Sequence, residues 1–169
     1  MFSCLYKVLE FNKGRYYLIM FLLFCSFTFA QKQANIWNVF DNTILDFNYN
    51  PPKLSTNILY HQNSPWNSFA SICDNKGDLL FYTDGANAWN SKNEILFNGE
   101  SLFNNSFPSY IIIVPQPGSE GLFYIFTTYT YYQSTPKIIF DTLFYTKVSV
   151  KSPTDKGTII QRNRVLHTN

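Results

Sequence analysis

The stretch from Ser68 to Asn90 constrains the fold of this chain more than any other part of it. Residues 69–74 alternate between two faces, which is the period of two that a β-strand presents. Asn75-Lys76-Gly77 then supplies turn residues, because Gly and Asn adopt positive φ angles more easily than other residues. Residues 79–83 are apolar, aromatic and β-branched, as in a buried strand. The stretch therefore predicts a β-hairpin that a second turn closes at Asp84-Gly85.

The N-terminal residues predict a secretory signal peptide over residues 1–30 and a mature chain over residues 31–169. Three basic residues precede the apolar run of residues 18–29, and small residues stand at the positions that signal cleavage requires before Gln31. This run is too short for a membrane span, which needs roughly 20 residues. We therefore expect cleavage between Ala30 and Gln31, export through the inner membrane, and a secreted or cell-surface protein without a transmembrane span. An uncleaved signal anchor is the alternative.

Cysteine content and charge exclude several classes of function. Cleavage after Ala30 leaves Cys73 as the last of three cysteines, so the mature chain has no internal disulfide and no cysteine-based metal site. The position of Cys73 within a strand pattern predicts a buried, unreactive thiol. The net charge of +2 comes from the residues before position 18, and the rest of the chain is neutral. We expect no nucleic-acid partner, because a neutral body lacks a surface that tracks phosphates.

Further short strands follow the hairpin pattern, and no amphipathic helix is predicted after residue 30. The sequence predicts strands at residues 35–40, 44–47, 94–97, 110–115, 122–128, 138–140, 143–150 and 158–160. Asn98-Gly99 is the strongest two-residue hairpin signal in the chain. Residues 53–67 and most of the tail after Lys151 are polar, and we expect them to be irregular.

An internal repeat indicates the arrangement of these strands. Leu80-Phe81-Tyr82 recurs as Leu122-Phe123-Tyr124, and each copy follows a strand and a Gly-containing turn. LFYT at residues 80–83 also recurs at 143–146. The offset between the first two copies matches one four-stranded propeller blade, roughly 40–50 residues. We therefore expect an all-β fold of about three WD-type β-propeller-like blades, preceded by a helical signal peptide. This is an incomplete propeller, since closed propellers have roughly 4–8 blades.

The same stretch carries a resemblance to a known family. Residues 70–74, 77–85 and 89–90 are similar to the N-terminal repeat region of large secreted Bacteroidetes proteins, the gliding-motility-associated or type IX secretion proteins with a type B sorting domain. Further matching pieces are Ile36-Trp37, Leu45–Asn48, Ile113–Ser119, Tyr124–Phe126 and Leu143–Thr146. The resemblance covers about residues 31–150, and the central hairpin is its most specific part. Residues 66–69 depart from the family because they lack its Glu-Gly pair.

The resemblance implies a function as well as a fold. In that family the region is similar to a WD-type β-propeller that acts as an exported surface or adhesion module. We therefore expect a non-enzymatic surface, adhesion or interaction module, the N-terminal part of a larger gliding-motility-associated or type IX-secreted protein. Its expected partners are a surface protein or a polysaccharide, and the secretion machinery if a sorting domain follows residue 169. The alternative is part of a carbohydrate-active or carbohydrate-binding propeller protein.

Three carboxylates around the hairpin, Asp74, Asp78 and Asp84, are the candidates for chemistry. Carboxylate oxygens can bind calcium, but the spacing of these three residues does not match the twelve-residue calcium loop. Asp is also common in turns, because its side chain accepts hydrogen bonds from the backbone. We predict turn formers, with a metal site and a glycosidase pair as weak alternatives. We expect no catalytic residues and no cofactor. The predicted structural motif comprises Asp74, Gly77, Leu80, Phe81, Tyr82, Asp84, Gly85 and Trp89.

Two weaker motifs and several isolated polar residues complete the candidates. Residues 129–132 contain three tyrosines that could stack on sugar rings, with strand-edge or inter-blade packing as the alternative. Asp141-Thr142-Leu143 resembles the short O-glycosylation pattern of this bacterial group. The sequence shows no catalytic triad or metal site that would include His61 or His167, and no serine stands in a G-x-S-x-G context.

Overall fold

The computed structural model describes residues 32–38, 43–56, 69–102, 110–134 and 137–168, all within the unit Lys32–Asn169. Within these ranges the chain is built of β-strands, and its one helical element is a 3₁₀ turn, Lys32–Ala34. The all-β class is therefore confirmed for this part of the chain. The expected signal peptide, its cleavage site at Ala30 and Gln31, and His61 lie outside the described residues. None of the described residues forms a helix that could cross a membrane.

Ten described strands form three antiparallel sheets, and each sheet joins its strands in chain order. Sheet A contains β1 (Ile36–Asn38), β2 (Thr43–Asp46) and β3 (Lys53–Thr56). Sheet B contains β4 (Ala70–Cys73), β5 (Leu79–Thr83) and β6 (Ala88–Asn90). Sheet C contains β7 (Tyr110–Pro115), β8 (Leu122–Ser134), β9 (Lys137–Ser149) and β10 (Thr158–Thr168). None of the three sheets closes into a barrel.

Sheet B lies between sheets A and C. Apolar side chains of sheets B and C form the main core, where the rings of Phe81 and Phe123 meet edge-on with their centroids 5.4 Å apart. On the other face of sheet B, Ile44 of sheet A packs with Tyr82 and Trp89, whose rings stack at 5.2 Å. The first strands of the sheets also adjoin, because β4 contacts both β1 and β7. The sheets therefore stack in chain order.

A β-bulge in β5 gives sheet B its two apolar faces. Ile72 pairs with Phe81, but the next residue of β4 pairs with Leu79, which leaves Leu80 as the extra residue. An extra residue interrupts the alternation of side chains along a strand. Leu80 and Phe81 consequently both enter the core shared with sheet C, whereas Leu79 and Tyr82 pack towards sheet A. One five-residue strand thus supplies apolar side chains to both interfaces.

The first two LFY segments occupy equivalent places in successive sheets. Residues 80–82 lie in β5, the second strand of sheet B, and residues 122–124 begin β8, the second strand of sheet C. The Phe residues of these two copies are the ones whose rings meet in the main core. The third copy, at residues 143–146, lies in β9, the third strand of sheet C. It is therefore not an equivalent position.

Two polar segments form strands that the sequence pattern does not indicate. The prediction of irregular structure from residue 53 is wrong for residues 53–56, which form β3 with mostly exposed side chains. The prediction of a strand limited to residues 158–160 is also wrong, since β10 extends to Thr168. Both are outer strands of their sheets. Such a strand needs a partner on only one side and can keep polar side chains in solvent.

Two turn predictions also differ from the structure. Residues 138–140 and 143–150 do not form separate strands, because Asp141-Thr142 pairs with β8 instead of turning, and the single strand β9 results. Asn98-Gly99 forms a tight turn in which the Gly99 N–H bonds the Leu96 carbonyl at 2.7 Å. No hairpin follows, since the flanking residues Ile95 and Phe97 make only isolated bridges, to Trp89 and to β10.

The turn between β4 and β5 is fixed to sheet A through Asn48. The Asn48 Nδ2 donates a hydrogen bond to the Gly77 carbonyl at 2.9 Å, and the Asn48 Oδ1 accepts one from the Asn35 Nδ2 at 3.0 Å. Gly77 has a φ of +97°, and a Cβ atom there would lie 2.1 Å from the Asn48 Oδ1. Both the backbone angle and this close approach therefore require glycine at position 77.

We expect Gly77→Ala to lower the free energy of unfolding by roughly 2–4 kcal/mol. The substitution combines a left-handed backbone cost of about 1–2 kcal/mol with displacement of the Asn48 amide. Gly118→Ala is the matched control, because Gly118 has a φ of +71° but no heavy atom within 4 Å of its Cβ position. Urea unfolding of both variants measures the difference, and equal losses would contradict a specific role of Asn48.

Candidate functional site

The Asp84-Gly85 turn is held together by hydrogen bonds from two side chains. Asp84 is buried, and its Oδ1 accepts hydrogen bonds from the backbone N–H groups of Ala86 at 2.9 Å and Asn87 at 2.7 Å. The Thr83 Oγ1 accepts one from the Gly85 N–H at 2.9 Å and donates one to the Asn87 carbonyl at 2.6 Å. A carboxylate used in this way shapes the backbone of a turn.

Asp74 plays the same part at the opposite end of β5. Its Oδ1 accepts hydrogen bonds from the backbone N–H groups of Lys76 at 2.8 Å and Asp78 at 3.0 Å. The length of β5 places Asp84 roughly 20 Å from Asp78, at about 3.3 Å per strand residue. Asp84 is therefore too far away to share one cation or one glycosidic bond with the other two. Among the described residues, no group of three His, Cys, Asp or Glu could hold a metal ion.

Two buried titratable groups remain neutral at physiological pH. Burial, and then the charges of Asp74 and Asp46, raise the pKa of the Cys73 thiol to about 11, although hydrogen bonding with the backbone of Ile36 and Asn35 acts in the opposite direction. A nucleophilic thiolate therefore does not form there at neutral pH. Burial, and then the charge of Asp84, raises the pKa of the Tyr82 hydroxyl well above its usual range. This hydroxyl donates a hydrogen bond to the Asn93 Oδ1 at 3.2 Å. Both groups serve packing.

The predicted motif divides into packing residues and turn residues. Leu80, Phe81, Tyr82 and Trp89 are buried between the sheets. Gly77 and Gly85 have positive φ angles in the two turns that flank β5. The structure thus spreads the motif over the interior and both ends of sheet B, and does not gather it into one site.

Loops of sheets B and C enclose a cleft of about 260 Å³, here called the loop cleft. Its polar lining residues are Gln33, Asp74, Asn75, Ser119, Glu120 and Lys151. Its apolar lining residues are Leu80, Pro115, Leu122, Phe123 and Val150. Two carboxylates and one ammonium group thus surround an apolar surface, together with amide and hydroxyl groups. This combination suits binding of a polar ligand by hydrogen bonds, with apolar contacts beneath it.

Sequence reasoning did not find the loop cleft. Its lining comes from five separated segments, near residues 33, 74–75, 80, 115–123 and 150–151, which only the stacking of the sheets brings together. The turn residues Asn75 and Gly121 were a partial signal, because they mark the loops but not their proximity. A second, more open cleft of about 490 Å³ lies near Phe97, where Arg162 donates a hydrogen bond to the Glu100 carbonyl.

The remaining candidates lie in regular strands. Residues 129–132 belong to the end of β8, where it pairs with β9 beyond the last residue paired with β7. Thr142 is half-buried in β9 and pairs with Tyr129 and Thr168. His167 lies in β10 and is exposed. The structure does not bring these residues together with the loop cleft.

Comparison of the chain with models of protein families, with curated proteins and with solved structures found no match. The resemblance to Bacteroidetes surface proteins therefore stays a prediction from the sequence.

We expect alanine substitutions of the three carboxylates to lower the free energy of unfolding by amounts that follow the hydrogen bonds that each carboxylate accepts. Asp84→Ala should lower the free energy of unfolding by roughly 2–3 kcal/mol, because the buried Ala86 N–H and the half-buried Asn87 N–H lose their acceptor. Asp74→Ala should cost about 1 kcal/mol at its exposed turn. Asp78→Ala is the control and should stay within about 0.5 kcal/mol, since its side chain is exposed. Thermal and urea unfolding measure these values. An equal loss in all three variants would contradict this assignment.

We expect the protein to lose stability at alkaline pH because the Cys73 thiol is buried. The thiol has a pKa of about 9 when unfolded and about 11 when folded, so its contribution is complete below pH 9 and is lost as the pH rises towards 11. The free energy of unfolding should therefore fall more steeply in the wild type than in Cys73→Ser over this window. Urea unfolding at several pH values tests this, and parallel curves would contradict it.

Proposed function

We propose that this chain is an exported, non-enzymatic surface or adhesion module of the gliding-motility-associated or type IX-secreted kind, built from WD-type propeller-like blades. The observation that carries this proposal is the stacking of three antiparallel meanders in chain order, with their first strands adjoining. The LFY repeat supports it further, because both of its equivalent copies form second strands of adjacent sheets. Successive blades of a propeller are related in this way.

The chemistry of the described residues supports binding rather than catalysis. The Asp74 and Asp84 carboxylates bond the backbone of their own turns, and the Cys73 thiol is buried with a raised pKa. The loop cleft instead presents exposed charged groups, Glu120 and Lys151, above an apolar surface. A module of this type contacts its partner through loops at the ends of rigid sheets.

The proposed partners are a surface protein or a polysaccharide that binds in the loop cleft. Both carry hydroxyl, amide or carboxylate groups that match the hydrogen-bonding groups and charges of the cleft. The cleft volume of about 260 Å³ fits one sugar ring or one side chain of a partner rather than a large ligand. Export by the expected signal peptide would place the module where such partners occur.

We expect the protein, recovered after export from a bacterium that expresses the full chain, to begin at Gln31 and to bind bacterial cells or their isolated polysaccharides. Glu120→Lys and Lys151→Glu should each weaken this binding about tenfold or more without lowering the melting temperature, because both residues are exposed. Lys156→Glu is the matched control, since Lys156 is exposed and does not line the loop cleft.

Two results would contradict the proposal. The first is a wild-type chain that stays in the cytoplasm. Leu23→Arg, which interrupts the apolar run, is the reference for failed export, and Ser3→Arg is the control for the added charge. The second is binding that Glu120→Lys, Lys151→Glu and Lys156→Glu leave equally intact.

A further inference from the structure

Sheets A and C each have one face that sheet B does not cover, here called the A face and the C face. Sheet B covers the opposite face of each, through Ile44 of sheet A and through Phe123 and Ile125 of sheet C. Neighbouring residues along these strands point away from sheet B, because side chains alternate along a strand. The described residues include no further sheet that would pack on either face.

The C face carries aromatic and aliphatic side chains in aligned rows. The strand register places Ile112, Phe126 and Tyr145 opposite one another on three neighbouring strands, and Arg164 continues this row on β10. The next row contains Val114, Tyr124, Lys147 and Gln161. The Tyr124 ring contacts the rings of Phe126 and Tyr145, and Ile112 is 58% exposed. An antiparallel sheet that faces only water would present polar side chains here.

The A face is also apolar, and it carries no charge in its central row. The register aligns Trp37, Leu45 and Leu54 across the three strands of sheet A. Leu54 is 66% exposed and Trp37 is 51% exposed. The Phe47 ring lies 5.1 Å from the Trp37 ring and extends the aromatic surface. The stack of three sheets therefore has an apolar face at each end.

The C face complements the A face better than it complements a second C face. The C face presents the cations Lys147 and Arg164 beside its rings, whereas the A face presents uncharged aromatic rings. Cations are attracted to aromatic faces, and the chain already uses this contact where Lys147 lies 5.6 Å from the Tyr124 ring. Two C faces in contact would instead oppose like charges.

We propose that two copies of this chain associate into a closed, twofold-symmetric ring of six sheets, in which the C face of each copy packs on the A face of the other. Each contact continues the sheet-on-sheet packing that joins A to B and B to C. Two copies of the three described sheets give six, which lies within the roughly 4–8 blades of closed propellers. The inference depends on the blade-type architecture proposed above, and the twofold axis closes both contacts at once.

Sedimentation velocity of the exported protein, from micromolar to hundred-micromolar concentration, tests the ring. The wild type should have twice the mass of the monomer. Leu54→Lys on the A face and Ile112→Lys on the C face should each raise the dissociation constant at least about thirtyfold, the size of an interface hot spot. Phe97→Lys is the matched control and should leave the dimer intact, because Phe97 is 68% exposed but lies on neither face.

Mixing the two variants tests which faces meet. Leu54→Lys keeps an intact C face and Ile112→Lys keeps an intact A face, so an equimolar mixture should form a heterodimer with one contact although each variant alone is monomeric. Circular dichroism confirms folding, and Phe47→Lys on the A face and Tyr110→Lys on the C face replace any variant that fails to fold, since both rings are exposed.

Three outcomes would overturn the ring. A wild-type monomer over the whole concentration range would mean that the faces serve another partner or further sheets of a longer protein. Dimers that survive either Lys variant would exclude contact between the A and C faces. Masses that grow without limit would show an open chain of copies. A monomer that is exported and adhesive refutes only the ring, whereas a dimer that never leaves the cytoplasm refutes only the proposed function.

Discussion

The described structure depends on sheet B presenting an apolar surface on both of its faces. A strand in which apolar and polar residues alternate regularly would present apolar side chains on only one face. The bulge at Leu80 instead directs two consecutive side chains to the same core. Phe81, Tyr82 and Trp89 are almost fully buried as a result. Aromatic side chains of this size bury roughly 150–250 Å² each, so these three account for a large part of the hydrophobic stabilisation of both interfaces.

The elements that sequence predicts well are those with a strong local signal. Leu79–Thr83 and Tyr110–Pro115 have the predicted bounds, because apolar and β-branched residues lie between turn-forming Gly, Pro, Asp and Asn. β3 and β10 lack this signal, since their side chains are largely polar and exposed, and neighbouring strands supply the backbone hydrogen bonds that define them. The sequence does not indicate the bulge in β5 either, because the bulge follows from the pairing of β5 with β4.

The candidate site was less predictable than the fold. Asp74 and Asp84 suggest turns from their positions alone, and their hydrogen bonds agree with that interpretation. The loop cleft and the two end faces arise from the order in which the sheets stack, which no local pattern encodes. Glu120 and Lys151 are ordinary surface charges in the sequence, and only the fold brings them to one cleft.

Sheet A is held to sheet B much less firmly than sheet C is. Its contribution to the described core is the buried Ile44 and the partly buried Ile36, together with hydrogen bonds such as that from the Ser71 hydroxyl to the Ile36 carbonyl. Regions with few buried apolar contacts open locally at a lower free energy than the whole protein unfolds. Because Cys73 lies in β4, which β1 contacts directly, its thiol would gain solvent access when sheet A detaches. The rate at which the Cys73 thiol reacts would thus measure this subglobal opening separately from the global transition.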